Sequence, residues 1–464
     1  ANAEVRFNKF VAEFPESKLI GETYMMLADI AAYFGGDRLR EACQLFQRAM
    51  DDQNLNVELY NYCAFRCGEI LYDDYKDYPA VIRHFEDYIS RGREESNIPQ
   101  ALFYIGRSLW NQDEKLGALN RYKEAIEKFG NENTVASIGV DLILEEWIGK
   151  ARSAEEHLRD EAWRELRTAI KTADQDGKPI LKLRLTRALL YQSNVTEDYL
   201  EQLRQELVDI RNEVVADTAI ADQEHRIKLK EMEIEEAKRQ LEERKQVLAQ
   251  IVKMENVPLA SPSTLELIID EAVKRENYVL AKAAAEEIIK KFTETDYALS
   301  ARMFLAQQAD RDADYPAAIR HLTVVREVFA TDVQAGQALA LLGDIYLKMG
   351  EPQKAEDAFK SILAVREWRG ELFPRALYGR GVASVAMNKY DQAVTYFERI
   401  YLMYAGYKQW ASKAYLARYH ALVKLRKYRE AKEVLDAMLA NPELAEFPEF
   451  KEAQKELESI KRRV

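Results

Sequence analysis

The stretch ALALLGDIYLKMGEPQKAEDAFKSIL, residues 338–363, decides the fold of this chain. Its composition, rich in Ala, Leu, Lys and Glu, favours α-helix almost throughout. It nevertheless places Gly343 inside a predicted helix, where glycine costs about 1 kcal/mol relative to alanine. Such a residue indicates a position where close packing requires the absence of a side chain.

The residues around Gly343 indicate what that packing is. The stretch predicts two helices in succession, helix A and helix B, and Gly343 in helix A and Ala355 in helix B are small enough to let them cross closely. Four larger side chains are expected to fill the space around the crossing: Leu339, Leu342, Tyr346 and Phe359.

The same pattern recurs along the chain. We call the small residue early in each helix B the anchor. In the C-terminal half the anchors are 37, 37, 38 and 38 residues apart: Ala281, Ala318, Ala355, Ala393 and Ala431. The N-terminal half has five more: Ala3, Ala42, Val81, Ala118 and Ala162. An apolar or aromatic residue follows each anchor four positions later: Phe7, Phe46, Phe85, Tyr122, Leu166, Ala285, Leu322, Phe359, Phe397 and Leu435.

The signature and its period resemble the tetratricopeptide-repeat family over most of the chain. The period exceeds the usual one of about 34 residues, and junctions such as FPES at residues 14–17 are similar to those of long-period bacterial envelope proteins. Those proteins include the outer-membrane assembly lipoprotein and the periplasmic Tol-Pal coordinator. The resemblance implies an all-α fold, a superhelical solenoid of antiparallel helix pairs, and it favours a periplasmic or envelope-associated location over a cytoplasmic one.

The middle of the chain departs from this pattern. Neither Gly nor Pro occurs between Asn194 and Pro258, which predicts one helix from Thr196 to about Asn256, about 90 Å long at 1.5 Å per residue. Five apolar residues at intervals of seven form a stripe typical of a coiled coil: Ile220, Ile227, Ile234, Leu241 and Leu248.

Three interpretations of this segment stay open. The companion heptad position is mostly polar, so the stripe is too narrow for a strong dimer alone. The segment could be an arm that docks on a partner or on its own repeats, a solvated helix held by ion pairs, or a degenerate repeat with its turn near Glu235.

The predicted organisation has three parts. An N-terminal repeat array covers residues 1–195, a long central helix covers 196–257, and a C-terminal array covers 258–464. The clearest break is NVPLASPSTLE, which contains Pro258 and Pro262. Because Ala3 lies in a helix B without a helix A, we expect either a longer parent protein, which is favoured, or a capping helix.

Composition and motifs exclude several function classes. The formal net charge of −12 disfavours nucleic acid as a partner, and the apolar runs are too short for a membrane span. The odd cysteine set, Cys43, Cys63 and Cys67, is expected to be buried rather than disulfide-bonded or metal-binding. No catalytic motif is found. We therefore expect a protein that is not an enzyme and has no cofactor and no metal.

The resemblance also implies where partners bind, because certain helix A positions face the concave side of such arrays. The residues at those positions form an aromatic and basic set: Phe103, Arg107, Trp110, Met303, Gln307, Arg375, Tyr378, Lys413, Leu416 and His420. The groove type that binds a terminal carboxylate uses Lys and Asn at two of these positions. Here they hold Phe103 and Arg107, or Ala340 and Asp344, which argues against that type.

Three function hypotheses follow. The first is a scaffold that binds partner proteins through its concave surfaces in a bacterial cell-envelope complex. The second is a structural spacer that forms oligomers through the central helix. The third is a glycan- or small-ligand-binding protein that stacks its ligand on tryptophans, for which the candidates are Trp110, Trp147, Trp163 and Trp368.

Overall fold

The computed structural model describes residues 2–93, 95–132, 136–153, 156–192, 195–213, 220–293, 295–328 and 333–460. Within these ranges the regular structure is entirely helical, which confirms the predicted all-α fold. None of the helices in the described part is both long enough and apolar enough to cross a membrane. The chain divides into two compact units, Ala1–Phe292 and Thr293–Val464, and each is described separately.

Unit 1 contains fourteen α-helices among its described residues. They are α1 (Asn2–Glu13), α2 (Ile20–Phe34), α3 (Arg38–Met50), α4 (Val57–Glu69), α5 (Tyr78–Arg91), α6 (Ile98–Asn111), α7 (Lys115–Phe129), α8 (Ala136–Ser153), α9 (Glu156–Gln175), α10 (Pro179–Ala188), α11 (Glu197–Asn212), α12 (Ile220–Ile251), α13 (Pro262–Lys274) and α14 (Tyr278–Lys291). A π-helical turn, Ile70–Asp74, follows α4, and short 3-10 turns follow α10 and α12.

Unit 2 contains nine α-helices among its described residues. They are α15 (Asp296–Arg311), α16 (Tyr315–Val328), α17 (Val333–Lys348), α18 (Pro352–Ala364), α19 (Leu372–Ala386), α20 (Tyr390–Met403), α21 (Lys408–Lys424), α22 (Tyr428–Leu439) and α23 (Pro448–Ile460). In both units consecutive helices pack as antiparallel pairs, such as α6 with α7 and α17 with α18. The final helix, α23, packs on α21 and α22.

The crossing predicted at Gly343 is present in the structure. A Cβ added to Gly343 in α17 would lie 2.6 Å from Cε2 of Phe359 in α18, closer than real Cβ atoms approach other atoms. Three further pairs have the same arrangement of helix A glycine and helix B ring: Gly68 with Phe85, Gly106 with Tyr122, and Gly381 with Phe397. The absent side chain therefore makes room for a ring in four pairs.

The anchors follow the predicted pattern of burial. Eight of the ten are fully buried: Ala42, Val81, Ala118, Ala281, Ala318, Ala355, Ala393 and Ala431. Ala3 in α1 is exposed. The side chain of Ala162 lies outside the described residues.

The turns between helices A and B share one backbone feature. The residue five positions before the anchor has a positive φ of 52° to 74°, in the left-handed region that turns the chain sharply. Seven turns have it: Lys76, Asp113, Glu276, Ala313, Gly350, Asn388 and Arg426. Only one of these residues is glycine, so six turns adopt a conformation that costs a side chain about 1 kcal/mol or more.

The prediction of one continuous helix over residues 196–257 is wrong. α11 ends at Asn212, and the 32-residue α12, the long central helix of the chain, runs back antiparallel to it. We call this antiparallel pair the hairpin. α11 ends at Asn212 and the backbone is extended at Glu213, so the helix breaks there and not near Glu235. The physical reason is that α12 finds its apolar partner in α11, with Leu203 and Leu207 packed against Ile234.

Ion pairs along the edges of the hairpin fix its register. Glu206 pairs with Lys230 at 3.0 Å, and Glu213 pairs with Arg226 at 2.7 Å. The heptad stripe is used unevenly: Ile234 and Leu248 are buried, Ile227 and Leu241 are partly buried, and Ile220 is exposed.

A buried polar cluster ties the start of α13 to the repeats of unit 1. Asp141 of α8 accepts hydrogen bonds from the hydroxyls of Ser261 and Ser263, and its carboxylate lies 3.7 Å from Nε of Arg184 and 3.5 Å from Nη1 of Arg187. The segment expected to be the clearest break is thus packed within a compact unit. The three-part division at residues 195 and 257 stays a prediction.

Candidate functional site

A groove of about 290 Å³ opens on the helix A side of unit 2. We call it the unit-2 groove. Four successive A helices, α15, α17, α19 and α21, supply its lining. The lining residues are Met303, Gln307, Gln337, Leu341, Glu371, Leu372, Arg375 and Trp410.

The floor of the unit-2 groove is apolar. Met303 and Leu372 are 8% and 9% exposed, and Leu341 and Trp410 are partly buried. An apolar side chain placed in the groove would therefore lose contact with water against apolar walls, which is favourable in proportion to the area covered.

The charged groups of the groove are already engaged within the protein. Arg375 donates from Nη2 to Oδ2 of Asp344 over 2.9 Å. Trp410 donates from Nε1 to Oε1 of Glu371 over 3.1 Å, which holds the indole plane in place. These bonds fix the orientation of the groove walls in the absence of any ligand.

Tyr378 and Lys413 both lie against the ring of Trp410. The ring of Tyr378 lies 5.7 Å from that of Trp410, and the Lys413 ammonium lies 4.9 Å from the indole centroid, within cation–π range. Burial raises the pKa of Tyr378, so its hydroxyl stays protonated and neutral at physiological pH.

The structure therefore brings several predicted partner-binding residues together. Met303, Gln307 and Arg375 line one groove, with Tyr378 and Lys413 beside it. The remaining two predicted residues of this unit lie apart from the groove. Leu416 is buried in the core of the last helices, and Nε2 of the exposed His420 is 3.7 Å from Glu452 of α23.

The three predicted residues of unit 1 share a second surface, on α6 and α8. Arg107 lies over the ring of Phe103 at 5.4 Å, and its Nε is 3.8 Å from Glu146. Lys150 lies over Trp110 at 4.2 Å and pairs with the same Glu146 at 2.7 Å. Phe103 itself is only 9% exposed, so its ring serves mainly to support Arg107.

A larger cavity of about 860 Å³ lies among α7, α8, α9 and α10 of unit 1, and Trp147 contributes to its wall. Trp163 and Trp368 are 8% and 5% exposed, so neither presents a face on which a sugar could stack. Trp110 and Trp147 are the two candidates that remain partly accessible.

The three cysteines and His84 are buried. The burial predicted for all three cysteines is confirmed, and burial raises the pKa of Cys63 to about 12. His84 is buried against the carbonyl of Ala64, and burial lowers its pKa. In the part of the chain that the structure describes, no group of three or more His, Cys, Asp or Glu could hold a metal ion.

Five of the eight groove residues were not among the predicted partner-binding residues, although the repeat register indicates some of them. Gln337 lies 18 residues before its anchor, the same offset as Arg375 and Lys413, which were predicted. Trp410 and Leu372 share an offset of 21 residues, one helical turn earlier on the same face.

Comparison with known proteins supports the repeat assignment. Residues 340–414, which span α17 to α21, match the family model described as tetratricopeptide repeat. No curated protein matches the chain. This part of unit 2 is therefore similar in sequence to tetratricopeptide repeats, and the described helix pairs of both units form an all-α helical-repeat fold.

Several solved structures are similar over nearly their whole length at low identity. The APC/C hetero-tetramer Cut9-Hcn1 matches at 13% identity with a TM-score of 0.33, over 98% of this chain and 92% of that chain. Yeast Tom70 matches at 10% identity with a TM-score of 0.36, over 97% of each chain. A monomeric mutant of IFIT1 with Gppp-AAAA matches at 14% identity with a TM-score of 0.35, over 100% of this chain and 94% of that chain.

Proposed function

We propose that this protein is a scaffold that binds segments of partner proteins on its helix A surfaces, with the unit-2 groove as the principal site. The observation that carries the proposal is the groove itself, an apolar floor surrounded by polar groups and built by four successive A helices. Apolar, aromatic and Arg side chains at the centre of such a patch are the composition of protein-binding hot spots.

The proposed setting is a bacterial cell-envelope complex. What supports it is the long repeat period and the junction sequences, which resemble those of envelope tetratricopeptide proteins. Fractionation of native cells tests this part separately: we expect the protein in the periplasmic or envelope fraction, and a purely cytoplasmic distribution would contradict the setting without affecting the groove.

The structural-spacer alternative receives less support from the packing. It requires the heptad stripe of α12 to be available to another molecule, yet Ile234 and Leu248 are buried within unit 1. Of the stripe, only Ile220 is exposed.

Affinity purification from the native organism tests the binding function. Three proteins are compared: the wild type, the groove double variant Trp410→Ala with Arg375→Ala, and the control Lys360→Ala, which changes an exposed residue of helix B. We expect at least one protein to co-purify with the wild type and the control and to be lost from the double variant. Identical partners for all three, or no partner for the wild type, would contradict the proposal.

A further inference from the structure

Two of the buried cysteines of unit 1 face each other across adjacent repeats. Cys43 lies in α3, the helix B of one repeat, and Cys67 lies in α4, the helix A of the next. The thiol of Cys43 donates to the carbonyl of Cys67 over 3.5 Å, and the thiol of Cys67 donates to the carbonyl of Cys43 over 3.8 Å. Each side chain thus points at the other residue, as two cysteines must do to form a disulfide without backbone movement.

The repeat register gives independent evidence that these two positions face each other. Cys43 directly follows the anchor of its repeat, and Cys67 directly precedes the helix A glycine of the next repeat. In unit 2 the residues at these two positions are Glu356 and Arg380, which form an ion pair at 3.0 Å. Both pairs are separated by 24 residues. The place that joins neighbouring repeats through an ion pair in unit 2 therefore holds two thiols in unit 1.

The third cysteine is badly placed to compete for either sulfur. Cys63 lies on α4, four residues before Cys67. Residues four apart on a helix have Cβ atoms about 5 to 6 Å apart, whereas a disulfide requires about 3.5 to 4.5 Å. A link between Cys63 and Cys67 would distort α4, so we expect Cys63 to remain a free thiol.

Exposure indicates which sulfur reacts first. Cys43 is 6% exposed, whereas Cys67 is fully buried. The hydrogen bond with Cys43, together with burial, raises the pKa of the Cys67 thiol, which keeps this thiol protonated and unreactive toward outside reagents at neutral pH. An external oxidant therefore meets Cys43 before it meets Cys67.

We propose that Cys43 and Cys67 form a reversible disulfide that links two repeats of unit 1, with a small-molecule disulfide such as oxidised glutathione as the oxidant. The sulfur of Cys43 gives up its proton, attacks one glutathione sulfur and releases one glutathione as its thiol. The sulfur of Cys67 then gives up its proton, attacks the Cys43 sulfur of this mixed disulfide and releases the second glutathione. The protein loses two electrons and two protons, which convert one glutathione disulfide into two thiols.

Thiol counting on the purified full chain tests this inference, and it does not depend on what binds the unit-2 groove. The reduced protein is incubated with oxidised glutathione under native conditions for several hours, then unfolded and labelled with a maleimide. We expect all three cysteines to be labelled before oxidation and only Cys63 afterwards, with a linked peptide pair containing Cys43 and Cys67 in mass spectrometry. Full labelling after oxidation, or a link that includes Cys63, would overturn the inference.

Single substitutions to alanine separate the roles of the three thiols. Cys63→Ala, the matched control on α4, should still form the link. Cys67→Ala lacks the second sulfur, so it should accumulate glutathione on Cys43, whereas Cys43→Ala should take up little glutathione at Cys67. Circular dichroism checks that each variant is folded. Equal glutathione uptake by Cys67→Ala and Cys43→Ala would contradict the proposed order of attack.

A link between α3 and α4 should also change the stability of unit 1. It joins residues 24 positions apart, which restricts the unfolded chain. Oxidised wild type should therefore unfold at a higher denaturant concentration than reduced wild type, and Cys67→Ala should show no such difference after the same treatment. An oxidised wild type that is no more stable than the reduced protein would contradict the proposal that the native fold positions the two thiols for this link.

Discussion

Phe359 of α18 packs its ring on the backbone of Gly379 in α19, the first helix of the next pair. A Cβ added to Gly379 would lie 2.6 Å from Cε1 of this ring. A Cβ added to Gly343, in the same pair as Phe359, would lie 2.6 Å from Cε2. One aromatic side chain thus fills space that two glycines leave on two different repeats. Because each repeat is stabilised mainly by its neighbours, such a contact couples adjacent repeats directly.

Side chains added at these two glycines should destabilise unit 2. We expect Gly379→Ala and Gly343→Leu each to cost about 1 to 3 kcal/mol, since the Phe359 ring must move within a packed core. Chemical denaturation followed by circular dichroism measures the loss. The control is Gly149→Ala in α8, where an added Cβ meets none of the described atoms within 4 Å, and it should leave stability unchanged or raise it by up to about 1 kcal/mol. A melting temperature within one degree of wild type for Gly379→Ala would show that the packing account is wrong.

The turns with positive φ predict that substitutions at two equivalent positions change stability in different directions. Gly350 and Ala313 occupy the same place in successive repeats, with φ of 74° and 57°. Gly350→Ala should destabilise by about 1 kcal/mol, because the new side chain must adopt the left-handed conformation. Ala313→Gly should be neutral or slightly stabilising, since relief of that strain offsets the greater freedom of glycine in the unfolded chain. Denaturation midpoints of the two variants should therefore move apart, and equal shifts would contradict the role of the turn.

The hairpin of α11 and α12 should open when its apolar contact is replaced by a charge. Ile234→Glu buries an unpaired carboxylate against Leu203, whereas Met232→Glu changes a residue that is 63% exposed on the same helix. Limited proteolysis should cut the first variant within residues 197–251 much faster than wild type and leave the second variant unchanged. Most of the helical signal should persist in both. A large loss of helicity in Ile234→Glu would show that the hairpin is needed for the whole unit to fold.

The buried thiol of Cys63 predicts how stability depends on alkaline pH. Burial raises its pKa from 9.0 to about 12, so the folded state retains a proton that the unfolded state loses. Below pH 9 the thiol is protonated in both states and contributes its full stabilisation, which is lost as pH rises toward 12. The free energy of unfolding should therefore fall over this window less steeply in Cys63→Ala than in wild type. Identical pH profiles, or rapid reaction of the native thiol with iodoacetamide at pH 8, would contradict the burial.

Local patterns were predictable because the repeat imposes them at fixed spacing. The pairing of Gly343 with Phe359 and the buried anchors follow from which residues fit a close helix crossing, and the same register leads to Arg375 and Gln337. These relationships depend on neighbours within one or two helices. They can therefore be predicted from the sequence alone.

Relationships across long sequence distances were not predictable in this way. The end of α11 at Asn212 has no Gly or Pro to mark it, and only the packing of α12 on α11, with Leu203 and Ile234 in one apolar cluster, reveals it. Asp141 and Ser261 are 120 residues apart, and no local signal links them. Trp410 belongs to the groove because of its bond to Glu371, 39 residues earlier.

Site-specific photo-crosslinking in native cells tests the central claim, that the unit-2 groove binds a partner protein. A photoreactive amino acid is placed at Gln337 inside the groove and, as the control, at Lys360 on helix B. We predict a discrete protein adduct from position 337 that is absent from position 360 and is lost when Trp410→Ala is added. The same adducts from both positions, or an adduct at 337 that Trp410→Ala does not weaken, would contradict the account.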